Sequence, residues 1–171
     1  MNKPVEHGIR LMTHADLDKV RVWRNHPGVR RYMYTQHEIS LEEHEQWFAN
    51  ASKDPARHLL IFEIGSLPLG FVNIHKVLPG GIADWGFYVA PDAAKGTGRL
   101  LGQAALRYAF AEAKMYKVCG QALAYNERST RFHQALGFQE EGVLRQQHYN
   151  GQQYHDVVCF GLLATEWQSN N

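Results

Sequence analysis

Apolar positions along the chain follow two periods, and the switches between them mark the elements. Residues 58–64 are a run rich in Leu, Ile and Phe, as in a strand covered on both faces. Residues 69–77 alternate instead: Phe71, Asn73 and His75 fall on one face, Val72, Ile74 and Lys76 on the other. Pro79-Gly80-Gly81 is turn chemistry, and 82–90 reads as a third strand. Three such runs with short breaks predict an antiparallel meander. From 99 to 116 the period becomes helical. Leu101, Ala105, Ala109 and Ala113 recur every fourth residue, with Arg99, Gln103, Arg107 and Lys114 opposite.

The flanks are read the same way. Residues 8–12 form a candidate first strand. Thr13 is a helix N-cap with Asp16 in the first turn, and the helix should stop near Asn25 because Pro27 disfavours a helical His26. Residues 26–39 show no period. Ser40-Leu-Glu-Glu43 is a capping box for a helix that carries Leu41, His44 and Phe48 on one face, with Trp47 beside His44. A strand over 118–124, a helix over 126–136 closed by Gly137, and two strands, 138–148 and 154–163, around Asn150-Gly151 complete the chain. No linker, repeat or charge block interrupts it, so 1–171 is expected to be one mixed α/β (α+β) domain.

Composition narrows the partners. The 44% apolar and 20% charged content is ordinary for a globular protein. With 18 Lys+Arg against 17 Asp+Glu the net charge is +1, so neither nucleic acid nor a membrane surface is expected as a partner. No run approaches the ~20 apolar residues of a membrane span, and the first ten residues lack the apolar region of a signal peptide. Cys119 and Cys159 form neither a zinc spacing nor a disulfide framework, which points to a cytoplasmic location. The ten histidines show no ligand spacing, so no metal is expected.

The near-zero net charge hides two local cationic stretches. Arg21, Arg24, Arg30 and Arg31 place four guanidinium groups within eleven positions. They suit a nucleotide diphosphate, or else form a solvated helix end balanced by Asp16 and Asp18. The second stretch follows the strand end Phe87-Tyr88-Val89. Lys95-Gly96-Thr97-Gly98-Arg99 then opens the long helix. Glycine lets the backbone approach a ligand, and the first helical N–H groups have no internal partner. This suits a phosphate or pyrophosphate, or serves only as a tight turn. It is neither a Rossmann nor a Walker loop.

About thirty residues later, Asn126-Glu-Arg-Ser129 opens a helix that ends Phe132-His-Gln-Ala-Leu-Gly-Phe138. Loop and helix together resemble the GNAT superfamily of acetyl-CoA-dependent N-acetyltransferases, and the element order matches over nearly the whole chain. The resemblance implies the acyl-CoA N-acyltransferase fold: a central mixed, mostly antiparallel seven-stranded sheet flanked by about four helices. It implies acetyl-CoA as cosubstrate. Its pyrophosphate would lie on the backbone of Lys95, Gly96, Thr97, Gly98 and Arg99, its pantetheine arm along Phe87 to Val89 and on Asn126. Two positions depart from the family pattern. The usual Gln or Arg of the loop is Ala93, and the usual Tyr that protonates the leaving thiolate is His133. An imidazolium can also donate a proton.

The acceptor side is carried by the segment before these motifs. Trp23-Arg-Asn25, Arg30-x-x-Met33 and Glu43-His-x-x-Trp-Phe48 resemble a narrower GNAT subgroup. Its members acetylate the 4-amino group of a UDP-linked 4-amino-4,6-dideoxy sugar in pseudaminic acid biosynthesis. The resemblance implies a small-molecule amine acceptor, a nucleotide-linked amino sugar. Candidate contacts are Arg24, Asn25, Arg30, His44, Trp47, Asn73 and His75, with His44 also a candidate base and Trp85 and Tyr88 candidate stacking surfaces. A protein N-terminal acetyltransferase and a non-catalytic acetyl-CoA-binding module remain alternatives, and the assembly is a monomer or a homodimer.

Overall fold

The computed structural model describes residues 6–169. Residues 1–5, within the stretch read as lacking a leader, and 170–171 lie outside the described residues. In chain order the elements are β1 (His7–Leu11), α1 (Leu17–Asn25), α2 (Pro27–Arg30), α3 (Leu41–Ala51), β2 (Arg57–Ile64), β3 (Leu67–Leu78) and β4 (Ile82–Val89). There follow α4 (Thr97–Arg107), β5 (Lys117–Leu123), α5 (Glu127–Ala135), β6 (Gln139–Tyr149), β7 (Tyr154–Leu163) and α6 (Ala164–Ser169). The seven strands form one sheet in the order β1-β2-β3-β4-β5-β7-β6. All neighbours are antiparallel except β4 and β5.

The meander 57–89 forms as its periodicity predicts. Along β2, Leu60 and Phe62 pack toward α4, while Leu59 and Ile61 pack toward α1 and α3, which explains the uninterrupted apolar run. One core lies between the sheet and α4, around Val72, Ile74, Trp85, Leu101 and Leu106. The other lies between the sheet and α1 and α3, around Val20, Trp23, Phe71 and Tyr88. Ser40 Oγ accepts from Glu43 N at 3.1 Å, so α3 starts at its capping box, although the Glu43 carboxylate turns to His37 instead.

Three local features differ from the sequence reading. Six helices flank the sheet among the described residues, not about four. Residues 27–30 form the extra turn α2 because Pro27 sits at its first position and His26 Nδ1 accepts from Gly28 N. The long helix ends before 116: α4 passes into a π-turn over Tyr108–Glu112, and Lys114 takes a left-handed φ of 55°. The final hairpin turns over residues 150–153 rather than two residues. Asn150 Oδ1 accepts from both Gln152 N and Gln153 N. Among the described residues no helix is long and apolar enough to cross a membrane.

Candidate active site

The sheet opens where its single parallel pairing fails. β4 and β5 pair only through Ile82, Ala83 and Asp84 with Lys117, Val118 and Cys119. Beyond that point β4 stays on β3 as far as Val89, and β5 stays on β7 as far as Leu123. The β5-facing backbone of Trp85 to Val89 is therefore free to pair with an extended ligand arm. A cavity of about 610 Å³ fills this fork and runs from α2 to the start of α5.

One wall of the cavity is a backbone cradle. Lys95, Gly96 and Gly98 line it, and Gly96 holds φ at 95°, which an L side chain adopts only under strain. Thr97 and Arg99, the other two residues of this stretch, do not line the cavity. Their N–H groups bond Ala94 O and Gly96 O at 3.1 Å, and Thr97 is buried with its hydroxyl on Ala94 O. Phe87, Val89 and Asn126 line the cavity. Asn126 Oδ1 caps α5 by accepting from Ser129 N, which leaves its amide N–H groups for a ligand. Ala93 also lines the wall, and Arg128 from the first turn of α5 brings in the cation that position 93 lacks.

His133 does not fit the role of proton donor. It is 1% exposed, stacked on Phe160 at 4.7 Å. Trp85 Nε1 donates to its Nε2 at 3.1 Å, and its Nδ1 lies 2.8 Å from Ser129 O. The ring is thus neutral with its one proton on Nδ1, committed to a carbonyl. Burial holds its pKa below the usual histidine range. Gly120 makes the arrangement possible, since a Cβ there would strike both the imidazole and the indole. Trp85 belongs to the core, and both it and His133 border the cavity from beneath.

None of the seven residues expected to contact the acceptor lines the cavity. Three of them, Arg24, Asn25 and Arg30, instead fix the chain around it. Arg24 is buried and donates Nη2 to Thr35 O at 2.6 Å. Asn25 exchanges two bonds with the Ile39 backbone, at 2.7 and 2.8 Å. Arg30 reaches Glu38 at 3.7 Å. His44 is buried against Trp47, rings stacked at 5.1 Å, and burial lowers its pKa. Trp47 opens onto a separate groove of about 250 Å³ at the end of α3. Asn73 and His75 do face the α1–α3 side of the sheet, with His75 3.8 Å from Asp54. Arg24 and Asn25 act as pins because the short helical layer leaves strap backbone groups to satisfy.

What they pin is a strap, residues 31–39, laid from α2 across the fork onto β5. Tyr34 donates to Gln121 Oε1 at 2.6 Å, and Tyr125 donates to Arg31 O at 2.9 Å. The Arg31 guanidinium lies 4.6 Å over the Tyr32 ring. Arg31, Tyr32, Tyr34 and Gln121 line the cavity, and so does Asp84 on β4. Asp84 is solvent-exposed, and partial desolvation by its surroundings raises its carboxyl pKa from the ordinary value, partly opposed by His75. Arg31 belongs to the cationic stretch that suits a diphosphate, whereas sequence reasoning missed Tyr32, Tyr34, Gln121 and Asp84. Of those four, Asp84 alone carried a signal, as a polar position alternating with Trp85 just before the fork.

The sequence from 8 to 139 matches the model of the acetyltransferase (GNAT) domain. The chain is 33% identical over 90 residues to the SPbeta prophage-derived uncharacterized N-acetyltransferase YokL of Bacillus subtilis, covering 51% of each, so it spans about half that relative's length. It is 28% identical over 138 residues to Acetyltransferase PseH of Campylobacter jejuni, covering 76% of this chain and 84% of that one. The solved spermidine N-acetyltransferase from Vibrio cholerae, in complex with CoA and spermine, superposes with a TM-score of 0.87 at 22% identity, over 95% of this chain and 98% of that one. That likeness establishes the fold. The open β4–β5 fork, the glycine cradle and the domain match from 8 to 139 agree, and the chain belongs to the GNAT family of acetyl-CoA-dependent acetyltransferases.

Proposed function

We propose that the chain, acting as one domain over 1–171, acetylates the amine of a nucleotide-linked amino sugar. In the terms of the subgroup its sequence resembles, this is the 4-amino group of a UDP-linked 4-amino-4,6-dideoxy sugar. The observation that carries this reading is the charge of the cavity wall. Arg31, Lys95 and Arg128 line it, and Asp84 is its only carboxylate among the described residues. A polyamine, with two or more cationic amines, needs several acidic partners. An anionic acceptor needs cations, and Arg31 lines the cavity from the first residue of the strap. Tyr32 and Tyr34 offer faces on which a base or sugar ring stacks. The alignment with Acetyltransferase PseH, over most of that protein's length, supports the same reading.

Bound acetyl-CoA supplies the thioester. The protein's own tasks are to position it, bind the amine and remove protons. The free backbone of Phe87 to Val89 and the amide of Asn126 hold the arm, while Lys95, Gly96, Gly98 and Arg128 hold the phosphates. Asp84 is the general base: it lines the cavity at the point where the fork opens, and its raised pKa brings a carboxylate nearer to the range useful for proton transfer.

The test is a thiol-release assay with acetyl-CoA over nucleotide amino sugars, polyamines and peptides with free N-termini. Turnover on the UDP-amino sugar alone is expected. Turnover on peptides would replace this reading with an N-terminal acetyltransferase. CoA binding without turnover on any amine would replace it with a binding module.

A further inference from the structure

Arg31, the cation at the start of the strap, is exposed, and no salt bridge holds it among the described residues. Its guanidinium lies over the Tyr32 ring, which keeps the N–H groups on its edge free for a phosphate or carboxylate. Tyr32 lies 6.0 Å from the Tyr125 ring, and Tyr125 meets His155 of β7 edge-on at 4.6 Å. The series Arg31, Tyr32, Tyr125, His155 thus runs from the strap to the sheet. Tyr125 sits on the turn between β5 and α5. Ala124 N donates to Asp156 O at 2.9 Å and Asn126 N to Leu123 O at 2.8 Å, so the turn is fixed on both sides of it. From there the Tyr125 hydroxyl donates to Arg31 O at 2.9 Å, with Gln36 Nε2 3.4 Å from the same hydroxyl. Arg24 and Asn25 hold only the later strap, at Thr35 and Ile39. The backbone around Arg31 otherwise bonds back into α2, from Arg31 N to Pro27 O and from Tyr32 N to Val29 O. The hydroxyl that ties the Arg31 carbonyl to the sheet belongs to a residue that does not line the cavity.

We propose that Tyr125 is a positioning residue for the acceptor: its hydroxyl fixes the Arg31 backbone, so that the guanidinium meets the acceptor's anionic group in the cavity. The inference rests on the acceptor being anionic. An arginine contact to a phosphate or carboxylate is directional, because paired N–H donors must meet paired oxygens. Arg31 is long and exposed, and ordering it only when the acceptor arrives would weaken binding. A base fixed in advance reduces that loss. Tyr125 directly precedes Asn126, whose amide serves the donor arm. The two roles are separable, because only the Tyr125 hydroxyl, not the backbone of its turn, reaches the strap. Phenylalanine at 125 keeps the ring contacts with Tyr32 and His155 and removes that bond alone.

Tyr125→Phe, Arg31→Ala and the double variant of the full chain test this, with melting temperature as a folding control. Tyr125→Phe is expected to raise the KM for the UDP-amino sugar about threefold to tenfold, the range of one lost hydrogen bond, with kcat and the KM for acetyl-CoA unchanged. In the Arg31→Ala background the same change should add nothing, because no cation is left to place. With no acceptor present, amide hydrogen exchange at Tyr32 and Met33 should be faster in Tyr125→Phe than in wild type, and unchanged in Arg31→Ala. An equal rise in the acceptor's KM in both backgrounds would overturn the inference, since Tyr125 would then act other than through Arg31. A rise in the KM for acetyl-CoA, or wild-type exchange at Tyr32 and Met33, would overturn it too. Turnover of polyamines or peptides in place of the sugar would overturn the anionic-acceptor reading and the inference with it. Sugar turnover with a wild-type KM in Tyr125→Phe would overturn the inference alone.

Discussion

The two halves of the cavity wall are built from different material. The donor half is mostly backbone: a parallel pairing that stops after three residues, a glycine at φ 95°, and two helix starts. The acceptor half is side chains that meet from distant parts of the chain, as when Tyr34 bonds Gln121 and Arg24 bonds Thr35. A backbone device tolerates change in most side chains but not in the few positions that set its shape. A side-chain device depends on every pin, and its specificity lies in residues whose neighbours are remote in sequence. Donor recognition is therefore fixed by fold, and acceptor recognition is free to differ between chains of one fold.

Variants should separate the halves. The largest effect is expected for Asp84→Asn, whose loss of ~10²-fold or more in kcat belongs to neither half's binding and leaves both KM values near wild type. Gly96→Val is next. A β-branched residue at that φ carries strain of about 1–3 kcal/mol, and the distorted cradle should raise KM for acetyl-CoA about tenfold while the acceptor's KM holds. Asn25→Ala does the opposite: it removes both bonds to Ile39, frees the strap, and should raise the acceptor's KM a few-fold with KM for acetyl-CoA unchanged.

His133→Phe should act on stability alone. It strands Trp85 Nε1 and Ser129 O, costing about 1–3 kcal/mol in chemical denaturation, with kcat of the folded enzyme within about threefold of wild type. A collapse of kcat at full stability would return His133 to proton transfer. Burial also sets a pH dependence. His44, His58 and His133 all have folded pKa values below the unfolded one. The unfolded chain therefore binds more protons below about pH 6.5, and stability should fall as pH drops through that value. Asp16 does not contribute in that window. Arg10 holds its carboxyl at about 2, so its stabilisation is lost only under strongly acidic conditions.

This contrast also explains what the sequence disclosed. The meander, the long helix and the cradle follow from periodicity and from Gly96, Gly98 and Asn126, all local in the chain. The fork is legible only through the resemblance, because nothing in residues 85–89 or 120–123 announces that two neighbouring strands part. The acceptor half was the least legible. Arg24, Asn25 and His44 carry the chemistry of a binding site, yet their partners are Thr35, the Ile39 backbone and Trp47. Polar type does not tell a pin from a contact. Tyr34 and Gln121, 87 positions apart, became neighbours only through the strap. His133 occupies the position that the family pattern gives to a tyrosine, but Trp85 and Ser129 claim both its nitrogens.

The most direct measurement is the pair of KM values for Arg31→Ala. Arg31 lines the cavity at the first residue of the strap, its guanidinium over the Tyr32 ring. The KM for the UDP-amino sugar should rise about tenfold, with kcat and the KM for acetyl-CoA unchanged, as expected when a uniform anion contact is lost. A rise in the KM for acetyl-CoA, with the acceptor's unchanged, would contradict the division of the cavity and the anionic acceptor together.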